Sequence, residues 1–382
     1  MALMKTEFKE HLEKKIIPFW KNLRDEVNGG YWGWVASDLE VMKKAPKGCI
    51  LHSRILWFFS NAYLATGNKE LLDCARHAYD FIVGFCMDNE FGGMVWEVSF
   101  DGKPLDYTKH TYNQAFCVYA LSSYYDASGD AKALESAMRV FEIIEGKCKD
   151  SVGYLEAFDR KFAPIANEKL SENGIIAEKT MNTLLHVFEA FTELFRVSGD
   201  LAVKEQLRFI MGLIAETVYN PSLRRLEVFF DENMDSILDI HSFGHDIEAS
   251  WLLDRGLEVL GDDALAEKLS PISRELARNI RNTAFDGRSI ANESAGGNVN
   301  EWRIWWAQAE AVVGFKNAGY EEEAQSVWKF IEEFLVDGRE GGEWYWQVDA
   351  QGSPDLSKPV VEPWKCPYHN GRMCLEMMRR LG

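Results

Sequence analysis

The sequence predicts an all-α protein, an α/α barrel (toroid) of six helical hairpins with short β-hairpins around one mouth. First, a unit of about sixty residues recurs along the chain. Second, each unit holds two amphipathic helical segments separated by a glycine-containing turn, and most end in an alternation rich in glycine and aromatic residues. Third, a single helical segment is left over at each terminus, and pairing these two would close the ring.

Five complete helix pairs are expected between the two terminal helices. In each pair a glycine interrupts the helical pattern, as glycine commonly does between helices. The expected pairs are 52–66 with 69–87, 109–128 with 131–147, 179–198 with 201–217, 244–260 with 263–282, and 302–318 with 320–336. The opening helix is expected over about 7–28 and the closing helix over 364–381.

The segments that follow the helix pairs alternate apolar and polar residues and are bounded by glycine, which favours short β-hairpins. They are 29–34, 92–104, 153–158, 225–231 and 341–346. The chain shows no linker or low-complexity segment, so we expect a single domain over residues 1–382. An open helical solenoid is the alternative, but it would leave two unmatched ends that need polar caps.

Composition excludes several classes of function. The 382 residues carry a formal net charge of −18, which argues against a nucleic-acid partner because phosphate binding needs a basic surface. The seven cysteines are scattered and form no C-x-x-C pair, which favours free thiols in a reducing compartment. No secretory signal and no run of the roughly 18 apolar residues needed to span a membrane is apparent. We expect a cytoplasmic monomer.

The histidines concentrate where the predicted inner helices begin. In such a ring the first helix of each pair is the inner one, and its early turns gather around one mouth. Five of the eight histidines lie there, namely His52, His110, His186, His245 and His369. The same positions carry Arg54, Tyr112, Asn113, Asn182, Glu248, Trp305, Trp306 and Trp364. A pocket of aromatic, imidazole, guanidinium and amide groups suits a carbohydrate, because flat rings cover its C–H face and polar groups bind its hydroxyls.

His245 and His369 are the candidate acid/base pair. They open the fourth and sixth inner helices and could face each other across the mouth, where two imidazoles could remove a proton from one face of a carbon and return it to the other. Arg54 and Tyr112 could hold the oxyanion that forms meanwhile. The alternatives are a capped core histidine for His245 beside Glu248, and a buried ion pair for Arg54.

Asn182 and His186 lie four residues apart on one helical face, which suits binding to sugar hydroxyls, with satisfaction of core polar groups as the alternative. Trp305 and Trp306 are adjacent, so only one of them can point fully into the mouth, and we favour Trp306 as the ring that stacks on the sugar.

Cofactors and metals are not expected. The chain carries no dinucleotide-binding or phosphate-binding glycine motif and no cysteine-based cofactor motif. His241, His245 and Glu248 have a spacing that metal ligands can show, but Gly244 places His241 before the helix that holds the other two. We therefore expect side-chain chemistry without a metal.

The whole chain resembles the N-acylglucosamine 2-epimerase superfamily. The resemblance rests on six stretches: His52-Ser-Arg54-Ile-Leu-Trp57-Phe, Lys109-His-Thr-Tyr112-Asn113, Lys179-Thr-Met-Asn182 through His186, Gly244-His-Asp-Ile-Glu248-Ala, Trp305-Trp306-Ala-Gln-Ala-Glu310-Ala, and Trp364-Lys-Cys-Pro-Tyr-His369-Asn-Gly-Arg372-Met.

This resemblance implies an α/α barrel that converts the reducing-end glucose of a β-1,4-linked disaccharide, such as cellobiose or lactose, to mannose. It implies that His245 and His369 are the general acid/base pair. The positions that match groups holding the substrate and stabilising the intermediate are Arg54, Tyr112, Asn182, His186, Glu248, Trp306 and Trp364.

Three other functions stay open at this point. An epimerase or isomerase of monosaccharides would use the same fold. A glycoside hydrolase would need two carboxylates about 5–10 Å apart, for which Asp246, Glu248 and Glu310 are available. A sugar-binding helical scaffold without activity would give no reason for the crowded histidines.

Overall fold

The computed structural model describes residues 3–169 and 175–382. Its regular structure is mostly helical, as the repeat predicts. The α-helices in chain order are α1 (Lys5–His11), α2 (Ile17–Asn22), α3 (Cys49–Thr66), α4 (Lys69–Phe81), α5 (Thr111–Ser128), α6 (Ala131–Ile143), α7 (Met181–Ser198), α8 (Leu201–Leu213), α9 (Phe243–Leu260), α10 (Asp263–Thr283), α11 (Trp305–Asn317), α12 (Glu321–Phe330) and α13 (Tyr368–Arg380). A π-helical turn (Leu12–Ile16) joins α1 to α2.

The first helix of each pair lies inside the barrel, as predicted. Helix α3 packs on α5, α5 on α7, α7 on α9, α9 on α11, α11 on α13, and α13 returns to α3, so six inner helices close a ring. The second helices form the outer layer, and the N-terminal α1 packs on α13. The terminal helices therefore complete the sixth pair, which confirms the predicted α/α barrel.

The predicted breaks between paired helices have a common structure. Glycines in the left-handed backbone conformation follow α3, α5, α7 and α9. Only glycine adopts this conformation without a steric cost, so the chain can leave the inner helix sharply. The next residue, Asn or Asp, then accepts a hydrogen bond from the first turn of the outer helix and caps it.

Short antiparallel strands surround the start of each inner helix. Strand β1 (Lys47–Gly48) precedes α3, and its partner β2 (Glu97–Val98) comes after the outer helix α4. The same arrangement precedes α5, α7, α9 and α11. The other strands are β3 (Pro104–Asp106), β4 (Lys109–His110), β5 (Ala157–Phe158), β6 (Lys179–Thr180), β7 (Tyr219–Asn220), β8 (Arg225–Leu226), β9 (Phe229–Phe230), β10 (Ile240–Ser242), β11 (Glu293–Ala295), β12 (Asn298–Asn300), β13 (Arg303–Ile304) and β14 (Gln347–Val348).

Pairing of β4 with β5, β6 with β9, β10 with β11 and β13 with β14 joins the start of each inner helix to the chain that follows its outer helix. The strands therefore gather at one end of the barrel, where the inner helices begin. This end forms the predicted mouth.

The opening helix ends earlier than predicted. Helix α2 stops at Asn22, because the Asp25 carboxylate accepts hydrogen bonds from the backbone amides of Val27 and Asn28 and also pairs with buried Lys47 at 2.7 Å. These bonds hold a turn in place of further helix. The predicted hairpin over 29–34 is also wrong, since this segment makes only isolated bridges such as Arg24 with Tyr31.

Four inner helices begin later than predicted: α5 starts at Thr111 and not at 109, α7 at Met181 and not at 179, and α11 and α13 also start late. Helix α11 starts at Trp305 and not at 302, because Arg303–Ile304 is a strand paired with β14. Helix α13 starts at Tyr368 and not at 364, with Pro367 at its N-cap. Trp364 therefore lies in the loop before the sixth inner helix.

The buried apolar side chains form one connected core between the helix layers. The single-domain organisation over residues 1–382 stays a prediction. Within residues 3–169 and 175–382, we find no helix with the length and apolarity that crossing a bilayer requires.

Close contact between inner helices gives a stability prediction. A Cβ on Gly314 in α11 would lie 2.7 Å from the backbone oxygen of Ile247 in α9, whereas a Cβ on Gly212 in α8 meets nothing within 4 Å. We expect Gly314→Ala to lower the free energy of unfolding by about 1–3 kcal/mol through overpacking. Gly212→Ala should raise it by about 0.5–1 kcal/mol, because alanine favours helix. Thermal and denaturant unfolding would measure both, and a stabilised Gly314→Ala variant would contradict the close packing.

Candidate active site

A cavity of about 800 Å³, open to solvent, lies at the mouth where the inner helices begin. Every one of the six inner helices, or the segment directly before it, contributes a side chain. The lining residues are Arg54, Tyr112, Lys169, Asn182, His186, His245, Trp305, Trp306, Trp346, Trp364 and His369. All predicted site residues are therefore brought to this cavity except Asn113 and Glu248.

Three histidines line the cavity, and each uses Nδ1 to bind the protein. His369 Nδ1 donates to Glu310 at 2.7 Å, and His186 Nδ1 donates to Glu189 at 3.0 Å. His245 Nδ1 is hydrogen-bonded to the Ser242 hydroxyl at 2.7 Å. This common arrangement leaves Nε2 of each ring available to a ligand.

Burial keeps these imidazoles neutral. Desolvation lowers the pKa of His245 to about 3, and nearby His186 adds to the effect. Desolvation also lowers the pKa of His369 well below its ordinary value, with Arg372 and Arg54 contributing, and it lowers the pKa of His186 despite the opposing charge of Glu189. A neutral imidazole has the free lone pair that a general base needs.

Trp306 lies beside both members of the predicted acid/base pair. Its ring centroid is 4.7 Å from that of His245 and 5.5 Å from that of His369. Trp306 is half-buried, whereas Trp305 is only 2% exposed and packs against His369 with a centroid distance of 5.3 Å. Trp306 thus offers more of its ring face to a ligand than Trp305, although both reach the cavity.

Arg54 and Tyr112 form a polar pair on the wall near Trp364. Arg54 donates to the Tyr112 hydroxyl at 2.7 Å and to the backbone oxygen of Trp364 at 3.2 Å. Burial works against its charge, but Tyr112, Cys366 and Tyr368 outweigh burial, so the pKa of Arg54 is raised above its ordinary value. The guanidinium stays charged, and it forms no ion pair with a carboxylate of residues 3–169 and 175–382, which makes it available to a negative charge on a ligand.

Asn182 has an unused hydrogen-bond acceptor at the cavity. Its side-chain oxygen is buried and has no partner among residues 3–169 and 175–382. Buried polar atoms are nearly always paired, so this oxygen is suited to accept from a ligand hydroxyl.

Asn113 is a correction to the sequence prediction. It is fully buried, and its amide donates to the backbone oxygen of Val95 at 2.9 Å, so it supports the hairpin before α5 instead of lining the cavity. Adjacent helical residues point about 100° apart, and Tyr112 takes the position that faces the cavity.

Glu248 also lies outside the cavity lining, in a buried layer directly beneath it. There the Arg372 guanidinium binds three carboxylates, those of Glu189, Glu248 and Glu310. Tyr368 donates to Glu189 in the same layer. The predicted role of Glu248 in contacting substrate is therefore corrected to a contact with Arg372.

Several supporting residues were missed by the sequence analysis. Glu189, Glu310 and Ser242 hold the three histidines, and only Glu310 lay in a stretch that had drawn attention. Trp346 lies in an alternating aromatic segment that could have indicated it. Lys169 reaches the cavity from a loop and pairs with Asp106 at 2.6 Å, and no sequence pattern marks it.

Two of the five histidines at the helix starts have structural roles. His52 is fully buried, with Nδ1 bonded to the Gly48 oxygen and Nε2 accepting from the Tyr31 amide. His110 is fully buried and bonds to Asn167 at 3.0 Å. The concentration of histidines located the mouth correctly but did not by itself separate catalytic candidates from structural residues.

The set His241, His245 and Glu248 does not assemble as metal ligands. His241 donates to Asp246 at 2.8 Å, and Glu248 binds Arg372. A different group, Glu248, Glu310 and His369, has ligand atoms within 4.8 Å of one another. Arg372 already supplies a positive charge to both of these carboxylates, and its distance to Glu310 is 2.7 Å. The group is therefore better suited to this guanidinium than to a metal ion.

The chain is similar to known proteins over nearly its whole length. Residues 30–370 match the family model described as N-acylglucosamine 2-epimerase (GlcNAc 2-epimerase). The chain is 50% identical to the cellobiose 2-epimerase of Ruminococcus albus, over 99% of both chains.

Two solved structures are similar over nearly the whole chain. A sugar epimerase from a ruminal bacterium is 50% identical with a TM-score of 0.97, covering 99% of both chains. The cellobiose 2-epimerase from Bacillus thermoamylovorans is 41% identical with a TM-score of 0.95, covering 98% of this chain and 99% of that one. The chain belongs to the N-acylglucosamine 2-epimerase family.

Proposed function

We propose that the chain reversibly converts the reducing-end glucose of β-1,4-linked disaccharides such as cellobiose to mannose. The observation that carries the proposal is the pair of neutral histidines, His245 and His369, whose ring centroids lie 4.7 and 5.5 Å from that of one aromatic side chain, Trp306. Inversion at a carbon next to a carbonyl needs a base on each face of that carbon. The similarity to cellobiose 2-epimerases over 99% of the chain supports the disaccharide substrate.

The reaction begins when the reducing sugar opens, with a histidine moving the proton of the O1 hydroxyl to the ring oxygen. The aldehyde at C1 acidifies C2–H. One histidine of the pair then takes that proton on Nε2, the C–H electrons form the C1=C2 bond, and O1 becomes negatively charged. After rotation about C2–C3, the opposite histidine, whose pKa rises when the enediolate charge forms beside it, takes a proton from solvent and gives it to the other face of C2.

Arg54 and Tyr112 stabilise the enediolate in this proposal. The guanidinium is held by Tyr112 at 2.7 Å, and no carboxylate in the described part of the chain forms an ion pair with it. A preorganised cation of this kind lowers the energy of a negative charge that develops during reaction. Asn182 and the tryptophans Trp305, Trp306 and Trp364 hold the sugar.

His186 supports a minor second reaction. Its centroid lies 5.0 Å from that of Tyr112, and Glu189 holds its Nδ1. From this position Nε2 would move a proton between O1 and O2 of the enediolate, which gives some aldose–ketose isomerisation.

We further propose a cytoplasmic location and a monomeric state. All seven cysteines are free and buried, which suits a reducing compartment.

The proposed reaction is tested by NMR of cellobiose with the protein in heavy water. We expect deuterium at C2, a new mannose signal and an intact glycosidic bond. Release of glucose would instead indicate a hydrolase, and turnover of mannose or N-acetylglucosamine but not cellobiose would indicate a monosaccharide enzyme.

Loss of either base should stop the reaction. We expect His245→Ala and His369→Ala each to reduce epimerisation by at least about a hundredfold, because each variant removes one of the two bases that the proposed reaction uses. His77→Ala is the control, because His77 lies on outer helix α4 and bonds to the Gly30 oxygen. A variant of either base that keeps more than about a tenth of the turnover would reject the two-base assignment.

The lowered histidine pKa values predict the pH profile. A base with a lowered pKa stays unprotonated as the pH falls, so its activity is lost only below the usual titration range. Because the pKa of His245 is about 3 and those of His186 and His369 are also lowered, we expect kcat/KM to hold at pH 6. Its acidic limb should lie below about pH 5.5. If kcat/KM fell to half of its plateau value near about pH 6.5 while the protein stayed folded, the buried imidazoles could not have the lowered pKa values.

Asn182 and Asn113 provide a matched comparison. Asn182→Ala should raise KM for cellobiose by about tenfold, because a hydrogen bond to the sugar is lost. Asn113→Ala should leave KM within about twofold and lower the melting temperature, because it removes a buried bond to Val95. Steady-state kinetics and thermal unfolding of both variants separate the two roles, and a reversed pattern would restore Asn113 to the substrate site.

A further inference from the structure

We propose that the barrel holds a second small-molecule site, at the end opposite the candidate active site, for a neutral polyhydroxylated ligand of monosaccharide size. This site is a cavity of about 840 Å³. Its walls come from the middle and C-terminal parts of five inner helices, α3, α5, α7, α9 and α13. The proposal does not depend on which reaction the other mouth performs.

Aromatic rings form two parts of the cavity wall. Trp57 and Tyr119 are stacked with centroids 5.5 Å apart. Trp251 also lines the cavity, and the Arg372 guanidinium lies 4.9 Å from its ring centroid. Flat apolar surfaces of this kind cover the C–H face of a sugar ring.

The charged side chains of this cavity balance one another. Four carboxylates and four guanidiniums line it, and several are already paired. Arg196 binds Asp126 at 2.6 Å and Glu193 at 2.7 Å, and Arg379 binds Glu376 at 2.8 Å. A lining without excess charge favours a neutral ligand over an ion. Hydroxyl groups suit it because each can donate to a carboxylate and accept from a guanidinium.

Arg372 offers a donor that the protein leaves unused. Its terminal nitrogens bind Glu189, Glu248 and Glu310, but its buried Nε has no acceptor among the described residues. Arg372 also lines this second cavity. A buried N–H is nearly always paired, so an oxygen atom entering from this end would satisfy it.

The two cavities share one buried layer. Glu189 and Arg372 line the second cavity, while Glu189 also holds His186 and Arg372 shares Glu310 with His369. A ligand at the second site would therefore contact Glu189, which holds His186, and Arg372, which binds the carboxylate that holds His369.

The test uses protein labelled with 5-fluorotryptophan and ¹⁹F NMR, with glucose as the probe. Trp57→Phe and Trp251→Phe assign the two signals of the second cavity, and Trp306→Phe and Trp364→Phe assign two at the active-site mouth. We expect the Trp57 and Trp251 signals to shift with saturation as glucose is added. If they do not move up to about 100 mM glucose, the proposal is wrong.

Variants that fill the second cavity show whether glucose binds in this cavity or shifts the tryptophan signals by binding elsewhere. Asn61→Phe places a ring at its half-buried wall, and Thr192→Phe does so from α7. Each should weaken glucose binding at the Trp57 and Trp251 signals by at least about tenfold. The Trp306 and Trp364 signals should still respond to cellobiose, which also shows that the variants fold. If the glucose concentration that gives half of the maximal signal shift were unchanged in both folded variants, glucose would bind elsewhere and the proposal would be wrong.

Discussion

The rest of the site depends on the interaction of Arg372 with three buried carboxylates. Its guanidinium comes from α13 and binds Glu189 of α7, Glu248 of α9 and Glu310 of α11 inside the ring. Burial raises the pKa values of Glu248 and Glu310, while Arg372 and His186 hold that of Glu189 at about 2. Without this cation, the interior of the barrel would hold three carboxylates with no positive partner, which is strongly unfavourable.

The same layer fixes the histidines. Glu310 binds Arg372 and His369, and Glu189 binds Arg372 and His186. The carboxylates that join four inner helices are thus also those that orient two imidazoles. The contacts that hold the inner helices together therefore also orient the imidazoles. This explains why so many ionisable groups are buried in a barrel whose helices already pack through apolar side chains.

The sequence predicted the ring well because the ring repeats one local pattern, a helix, a glycine-containing turn and a second helix. Glycine followed by Asn or Asp marks four of the five helix breaks, and the leftover terminal helices require closure. The sequence failed where a tertiary contact overrides local preference: Asp25 stops α2 through its bonds to Val27, Asn28 and Lys47. Residue type located the cavity, but side-chain direction separated Tyr112 from Asn113. Glu189 lies three residues after His186, a helical spacing that could have indicated it, whereas Lys169 was missed because its partner Asp106 is distant in sequence.

The two proposed bases are held differently by the protein, and this bears on how they would exchange roles. Glu310 also accepts from Arg372 and from Trp251 at 2.9 Å, so it acts as an acceptor and selects the His369 tautomer with its proton on Nδ1. Ser242 lies at the N-cap of α9, yet its hydroxyl bonds to His245 and leaves the helix amides uncapped. A hydroxyl can donate or accept, so His245 can hold its proton on either nitrogen. One base is therefore fixed in its tautomer and the other is adaptable, which suits a reversible reaction that must take a proton from one face and supply it to the other.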